Sequence, residues 1–129
     1  MLTGSGGVLR GASGGQLGVA AASNLTVSVT PLLRARIPCV VDSVNTVVTP
    51  GQTVDVVVTD HGIAVNPNNP LLEKKLIDAR LPVMSIDALR NLAISRAGVP
   101  KPIEYTDKVV AVVRYRDGTV IDVVRQVKQ

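Results

Sequence analysis

The segment Thr53–Pro67, TVDVVVTDHGIAVNP, constrains this chain more than any other. From Val54 to Thr59 every residue except Asp55 is β-branched. An apolar run without helical spacing, bounded by Pro50-Gly51 and Asp60-His61-Gly62, predicts a strand buried on both faces. The Asp60-His61-Gly62 triplet predicts a turn in which Gly62 takes a positive φ. Ile63-Ala64-Val65 then predicts a second short strand, stopped by Asn66-Pro67. A strand covered on both faces needs packed layers, and the helical patterns that follow are candidates for one of them.

The chain has no Phe or Trp and 24 valines, so its core has to be built from Val, Leu, Ile and Ala, a composition that favours sheet. At 129 residues and 46% hydrophobic it reads as one domain, or part of one, and not as a disordered chain. No apolar run approaches the ~20 residues that span a bilayer. The opening MLTGSGGVLRGASGG lacks the apolar stretch of a signal peptide, and the single Cys39 suits a reducing compartment, so the cytoplasm is expected. The net charge of +4 permits an anionic partner such as a CoA or phosphopantetheine thioester or a polycarboxylate. Scattered basic residues and only two tyrosines form no basic stripe or stacking platform, so no nucleic-acid partner is expected.

Residues 1–18 hold seven of the eleven glycines and are expected to be an irregular loop, either a tail or a segment whose bare amides approach a ligand. The loop carries neither a phosphate-loop lysine nor a GxGxxG spacing. Val19–Ser23 predicts one or two helical turns with free N–H groups aimed back at the glycines. Leu25–Thr30 alternates and predicts a strand with one covered face. Leu32–Pro38 is expected to be irregular, with Arg34 and Arg36 as an anion clamp or simply as solvated arginines. Cys39–Val41 and Val44–Thr49 are further extended candidates. Asn69 as N-cap and Pro70 at the first position predict a helix with Leu72, Leu76 and Ala79 on one face, ended by Leu81-Pro82. Ser85 caps a second, with a buried stripe of Ile86, Leu89, Ala93 and Ala97 and a stop at Gly98 before Pro100. Lys108–Arg116 and Thr119–Lys128 predict a terminal hairpin about a two-residue type I′ turn at Asp117-Gly118, with enough valine on both faces to pack against something.

No catalytic constellation emerges from spacing alone. His61 beside Asp60 is expected to be a solvated turn residue, Cys39 a small core residue, and one cysteine with one histidine makes no ordinary zinc site. The carboxylates Asp42, Asp55, Asp60, Glu104 and Asp107 form no spaced pair.

Several long runs resemble a known family. Thr3-Gly4-Ser5, Arg10–Gly15, PLLRARIP at 31–38, VVTDHGIAVNP at 57–67, KPIE at 101–104 and YRDGTVIDVV at 115–124 are similar, in order, to the citrate lyase alpha chain. The similarity covers the C-terminal quarter or so of that family's chain. It implies an α/β fold: a mixed sheet with flanking helices, part of a CoA-transferase-like domain of the NagB/RpiA/CoA-transferase type, ending in a β-hairpin. The parts are a glycine-rich loop at 1–18, an α/β core at 19–100 and the hairpin at 101–129.

The implied activity is citrate CoA-transfer, exchanging acetyl for citryl on an acyl carrier protein thioester, after which a lyase subunit cleaves citryl-carrier. The implied partners are the lyase (beta) subunit, the acyl carrier protein, and citrate and acetate, within a hetero-oligomer that contacts no membrane. No covalent cofactor is expected; CoA or carrier-linked phosphopantetheine enters as substrate. The resemblance places Gly11, Gly14, Gly15 and Gln16 against the thioester. The family pattern after the paired glycines is His-x-Asp, whereas Gln16 and Gly18 occupy those positions here. Its nucleophilic glutamate belongs to a section N-terminal to the glycine loop, and no catalytic residue or metal ligand is carried over. The expectation is therefore a C-terminal portion without turnover of its own. The alternatives are a docking module for the carrier protein or the lyase subunit, and a gene fragment begun at an internal methionine.

Overall fold

The computed structural model describes the backbone of residues 2–5, 8–11 and 15–128, with side chains from 15 to 128. The chain runs β1 (Leu2–Ser5), β2 (Val8–Gly11), α1 (Gln16–Ala22), β3 (Val27–Val29), β4 (Leu33–Arg34) and β5 (Ile37–Pro38). It continues β6 (Val56–Val58), β7 (Ile63–Val65), α2 (Pro70–Asp78), α3 (Ile86–Ala97), β8 (Tyr105–Arg114) and β9 (Val120–Val127). Two compact units result: Asn24–Asp42 with Gln52–Pro100, and Met1–Ser23 with Ser43–Gly51 and Lys101–Gln129. Among the described residues no helix is long and apolar enough to cross a membrane.

The first of these units is a mixed α/β body around β6. Its three-stranded sheet has the order β3-β6-β7, with β6 parallel to β3 and antiparallel to β7. The Val54–Thr59 run thus becomes a shorter central strand, Val56 buried and Val57 and Val58 half-buried. The predicted covered face of β3 is absent: all three residues are exposed, Val29 at 77%, because β3 is the sheet edge among the described strands. The 32–38 segment, expected to be irregular, forms a β4–β5 hairpin with Leu33 opposite Pro38 and Arg34 opposite Ile37. Cys39–Val41 forms no strand; the Cys39 N–H donates to the Leu32 carbonyl, and Val40 turns into the core. That core is Leu32, Val40, Ala64, Leu89 and Ala93, with Leu33, Val57, Met84 and Leu92 packed against it.

Both helices of this unit begin where local chemistry dictates. The Asn69 side chain accepts from the Leu72 N–H, with Pro70 at the first position. The Ser85 hydroxyl accepts from the Ala88 N–H at 3.1 Å, satisfying one of the orphan donors of the first turn. α2 stops before Leu81-Pro82, because Arg80 enters the left-handed region (φ 59). There the Leu81 N–H reaches the Leu76 carbonyl and the Arg80 N–H the Ile77 carbonyl, the double closure of a Schellman end. α2 buries no residue; Leu72 and Leu76 are half-buried and Ala79 is exposed. In α3 the stripe is narrower than predicted: Leu89 and Ala93 are fully buried, while Ile86 is exposed.

In the other unit the glycine-rich start is not irregular. β1 and β2 pair antiparallel from Leu2 opposite Gly11 to Ser5 opposite Val8. α1 begins at Gln16, three residues earlier than predicted, and buries Leu17 and Ala20. Val44–Thr49 forms no strand; it lies on the hairpin, the Thr46 hydroxyl donating to the Val123 carbonyl (3.2 Å) and the Val47 N–H to Asp122 Oδ2 (2.6 Å). The β8–β9 turn is not type I′, since only Gly118 (φ +89) is left-handed. The Gly118 N–H bonds the Tyr115 carbonyl and the Tyr115 N–H the Thr119 carbonyl, the pattern of a three-residue loop with a glycine bulge. Asp117 Oδ1 accepts from both the hydroxyl and the N–H of Thr119, which hold its carboxyl below the ordinary value. Val113 is buried, but Val109, Val110, Val112 and Val120 remain exposed.

Leu89 sits at the centre of the first unit with no exposed surface, so Leu89→Ala should cost about 2–5 kcal/mol. Leu71→Ala, on a side chain 75% exposed, should cost close to nothing. Paired urea unfolding curves check this, and equal midpoints for the two variants would contradict the assigned core.

Candidate functional site

Of the glycine-loop residues singled out by resemblance, Gly11 ends β2 opposite Leu2, and Gly14 lies outside the described residues. Gly15 is the N-cap of α1, exposed, with its carbonyl accepting the Val19 N–H at 2.9 Å. Its φ of −56° suits any L residue, and a Cβ built there meets nothing within 4 Å. Gln16 follows as the exposed first residue of the helix. The earlier start of α1 sets its first-turn amides directly after the paired glycines, and no acceptor within the helix serves such amides. Gly15 and Gln16 therefore stand side by side at the start of α1.

A second polar constellation lies in the other unit, at the turn after β6. Thr59 builds it: its Oγ1 accepts from the N–H of His61 (3.1 Å) and of Gly62 (3.0 Å), and the Gly62 carbonyl accepts from the Thr59 N–H at 2.9 Å. Gly62 is not left-handed, contrary to the prediction. It is closely approached by Met84: a Cβ there would lie 2.8 Å from Met84 Sδ and 3.0 Å from its Cγ, so that side chain would have to shift to admit one.

Asp60 and His61 project from this turn. Asp60 Oδ1 accepts the Leu32 N–H at 2.7 Å and lies 3.0 Å from His61 Nδ1. That imidazole nitrogen is buried and makes no well-formed hydrogen bond, so it meets Asp60 by proximity. The other ring nitrogen, Nε2, is bonded to the guanidinium of Arg96 on α3. Arginine only donates, so Nε2 is the acceptor and the ring proton resides on Nδ1, facing Asp60. His61 is thus a half-buried bridge between a strand-end carboxylate and a helix arginine, and not the solvated residue predicted. The Leu32 N–H first, and His61 second, hold the Asp60 carboxyl below its ordinary value. Among the described residues no three His, Cys, Asp or Glu side chains are grouped to hold a metal ion.

The sequence matches the family described as citrate lyase, alpha subunit (CitF), over residues 1–127. The chain belongs to the citrate lyase alpha subunit family. It is 60% identical over 129 residues to the citrate lyase alpha chain of Escherichia coli, covering 100% of this chain and 25% of that one. It is also 60% identical over 128 residues to the citrate lyase alpha chain of Klebsiella pneumoniae, again 25% of its length. Its fold matches a crystal structure described as the alpha subunit of citrate lyase from Streptococcus mutans, in complex with citrate. That match has a TM-score of 0.94 and 52% identity, over 99% of this chain and 25% of that one. The chain accordingly spans about a quarter of the length of these relatives, and the mixed α/β fold is common to it and the solved alpha subunit.

In this citrate lyase alpha family member, sequence reasoning missed Arg96, 35 residues from His61, because no local pattern announces such a partner. It also missed the clamping roles of Asp55, whose Oδ2 accepts the Thr26 N–H at 2.8 Å, and of Asp60, although the first lies within the predicted strand and the second directly after it. Two outcomes follow from the turn. Because the Asp60 carboxyl is lowered in the folded chain, its stabilisation is present above the unfolded value of 3.8 and is lost as pH falls through the folded one. Asp60→Asn should therefore lower the melting temperature at pH 7, with the difference from the parent closing as the pH falls below 3.8; a difference unchanged by acid would refute the charge contribution. Gly62→Ala should cost about 1–3 kcal/mol by overpacking against Met84. Much of that loss should be absent when the same change is made in a Met84→Ala background, read as a double-mutant cycle in urea.

Proposed function

We propose that this chain supplies part of the acyl-thioester pocket of a citrate CoA-transferase, within a CoA-transferase-like domain of citrate lyase. The observation that carries this reading is the unobstructed Gly15 at the start of α1, in a chain that matches the alpha subunit along almost its whole length. A thioester sulfur and carbonyl can approach a backbone that bears no Cβ. An amide donor aimed at the oxygen where charge builds up is worth ~3 kcal/mol of transition-state stabilisation.

In the reaction, a glutamate carboxylate attacks the acetyl thioester carbonyl, the C–S bond breaks and the thiolate leaves, giving an acetyl-glutamyl anhydride. The thiolate attacks the glutamyl carbonyl and acetate departs, leaving a glutamyl thioester. Citrate carboxylate repeats the two steps in reverse order and emerges as the citryl thioester. We assign the attacking carboxylate to neither glutamate of this chain. Glu73 is exposed in the first turn of α2, and Glu104 is exposed and pairs with Lys128 at 3.4 Å. The thioester carrier is CoA or the phosphopantetheine of an acyl carrier protein in the cytoplasm.

A second reading, a docking module for the carrier protein or the lyase subunit, is favoured by the exposed Val109, Val110, Val112 and Val120 of the hairpin. Calorimetric titration with acetyl-CoA separates the two. The pocket reading expects saturable binding that weakens at least tenfold in Gly15→Val, whose added Cβ meets no neighbour within 4 Å, with thermal melts of both proteins separating lost affinity from the poorer helix cap that valine makes. It also expects no acetate release when acetyl-CoA and citrate are added to the chain alone. Equal affinity in parent and variant, or no binding, would refute the pocket. Co-sedimentation with purified acyl carrier protein without thioester binding would establish docking instead.

A further inference from the structure

The β4–β5 hairpin carries a feature that neither the fold nor the thioester pocket uses. Its two-residue loop, Ala35-Arg36, has a positive φ at the first residue (56°) and not at the second, the sign pattern of a type II′ turn, whose first position ordinarily takes glycine. A side chain held in the left-handed region costs about 1–2 kcal/mol. Such an outlier persists only where surrounding structure over-determines it, and these outliers gather at ligand sites.

Here the surroundings are rigid. Leu32, the residue before β4, is fully buried; its N–H donates to Asp60 Oδ1 at 2.7 Å, and its carbonyl accepts the Cys39 N–H at 2.9 Å. Pro38, at the far end of β5, is buried too. The strained loop is therefore clamped at its base from both strands. Arg34 and Arg36 flank Ala35, both exposed, and neither side chain has an ion-pair or hydrogen-bond partner among the described residues. Arg90 and Arg96, on α3 of the same unit, are by contrast each engaged, by Asp42 and Asp87 and by His61.

We propose that the tip of this hairpin is an oxyanion-binding site, in which Arg34 and Arg36 together receive a multiply charged carboxylate or phosphate group. Guanidinium groups pair with either in a bidentate fork, and a pre-set turn removes much of the ordering cost of bringing two of them to one ligand. The proposal rests on this hairpin alone and stands whether or not the chain takes part in acyl transfer.

The test is titration of the 129-residue chain with citrate, with pyrophosphate and with CoA, using acetate as the monoanion control, by calorimetry at low salt. Saturable binding of a polyanion is expected, weakened at least tenfold in Arg34→Gln/Arg36→Gln. It should be unchanged in Lys74→Gln/Lys75→Gln, which removes the same charge from exposed positions of α2. Binding of citrate alone names a polycarboxylate as the ligand; binding of pyrophosphate and CoA alone names a phosphate. Gly15→Val should leave the citrate and pyrophosphate titrations unaltered, which separates this site from the thioester pocket. No saturable binding of any polyanion, or equal losses in the arginine and lysine pairs, would overturn the proposal.

Discussion

Two aspartates hold the sheet together from the ends of one strand. Asp55 immediately precedes the β6 segment and Asp60 follows it. Asp55 Oδ2 accepts the Thr26 N–H at 2.8 Å, ahead of β3, and Asp60 Oδ1 accepts the Leu32 N–H at 2.7 Å, beyond β3. The three-residue parallel pairing of β3 with β6 is too short to fix itself, and parallel ladders are the less stable kind. The carboxylates fasten it outside the ladder at both ends, with charge-assisted bonds roughly twice as strong as neutral ones. Asp55 adds a further tie, since Oδ1 accepts from Asn69 Nδ2 (3.3 Å), and Asn69 is the cap of α2. One side chain thereby registers the edge strand, the central strand and the start of a helix.

From the second aspartate the same logic runs into the core. Fixing the Leu32 amide places the Leu32 side chain among Val40, Ala64, Leu89 and Ala93, so the Asp60 bond and the hydrophobic cluster share one residue. The turn that carries Asp60 also carries His61, whose ring ties it to Arg96 on α3. α3 is thus attached by the apolar contacts of Leu89 and Ala93, by the His61–Arg96 bond and by the pairing of Arg90 with Asp42. The close approach of Gly62 to Met84 brings the residue preceding the α3 cap, Ser85, against the same turn, where the Met84 N–H also donates to the Ile63 carbonyl. A small core without aromatic rings is compensated here by side-chain-to-backbone bonds that fix its borders.

What was legible in the sequence is what depends on neighbours within a few residues. Asn69, Pro70, Ser85 and Gly98 mark helix ends through their own backbone chemistry, and the structure has each at that end. The β7 strand at Ile63–Val65 and the existence of the terminal hairpin were equally local. What failed depended on distant surfaces. The alternation of Leu25–Thr30 suggests a covered face, but coverage is a property of what lies against β3, and as the edge strand it is exposed throughout. The glycine count at 1–18 argued against strands, yet pairing between β1 and β2 overrode propensity, as tertiary context does. Gly62 was read as a turn glycine of positive φ, which it is not; what lies close to it is the side chain of Met84, twenty-two positions away and invisible to any local pattern. The helix start after the glycines was read from the alanine-rich Val19–Ser23, three residues late, whereas its link to a thioester came only through likeness to a family.

Among the described residues, two that are not glycine, Ala35 and Arg80, lie in the left-handed region. At Arg80 the strain has an evident return, because that conformation lets the Arg80 and Leu81 amides close on the last carbonyls of α2. The helix end supplies the bonds that offset it, and an arginine is held where glycine is the usual residue. At Ala35 the return is only the pairing of two short strands, two residues each. Such a hairpin is marginal by itself, so the conformation has to be imposed from below, by buried Leu32 and Pro38 and by the Asp60 carboxylate. A carboxylate whose first task is to register β3 against β6 therefore also stiffens a loop that presents two unpaired arginines. The rigidity of that tip is a by-product of how this sheet is fastened, and it is what makes a pair of otherwise ordinary arginines a geometry a ligand can recognise.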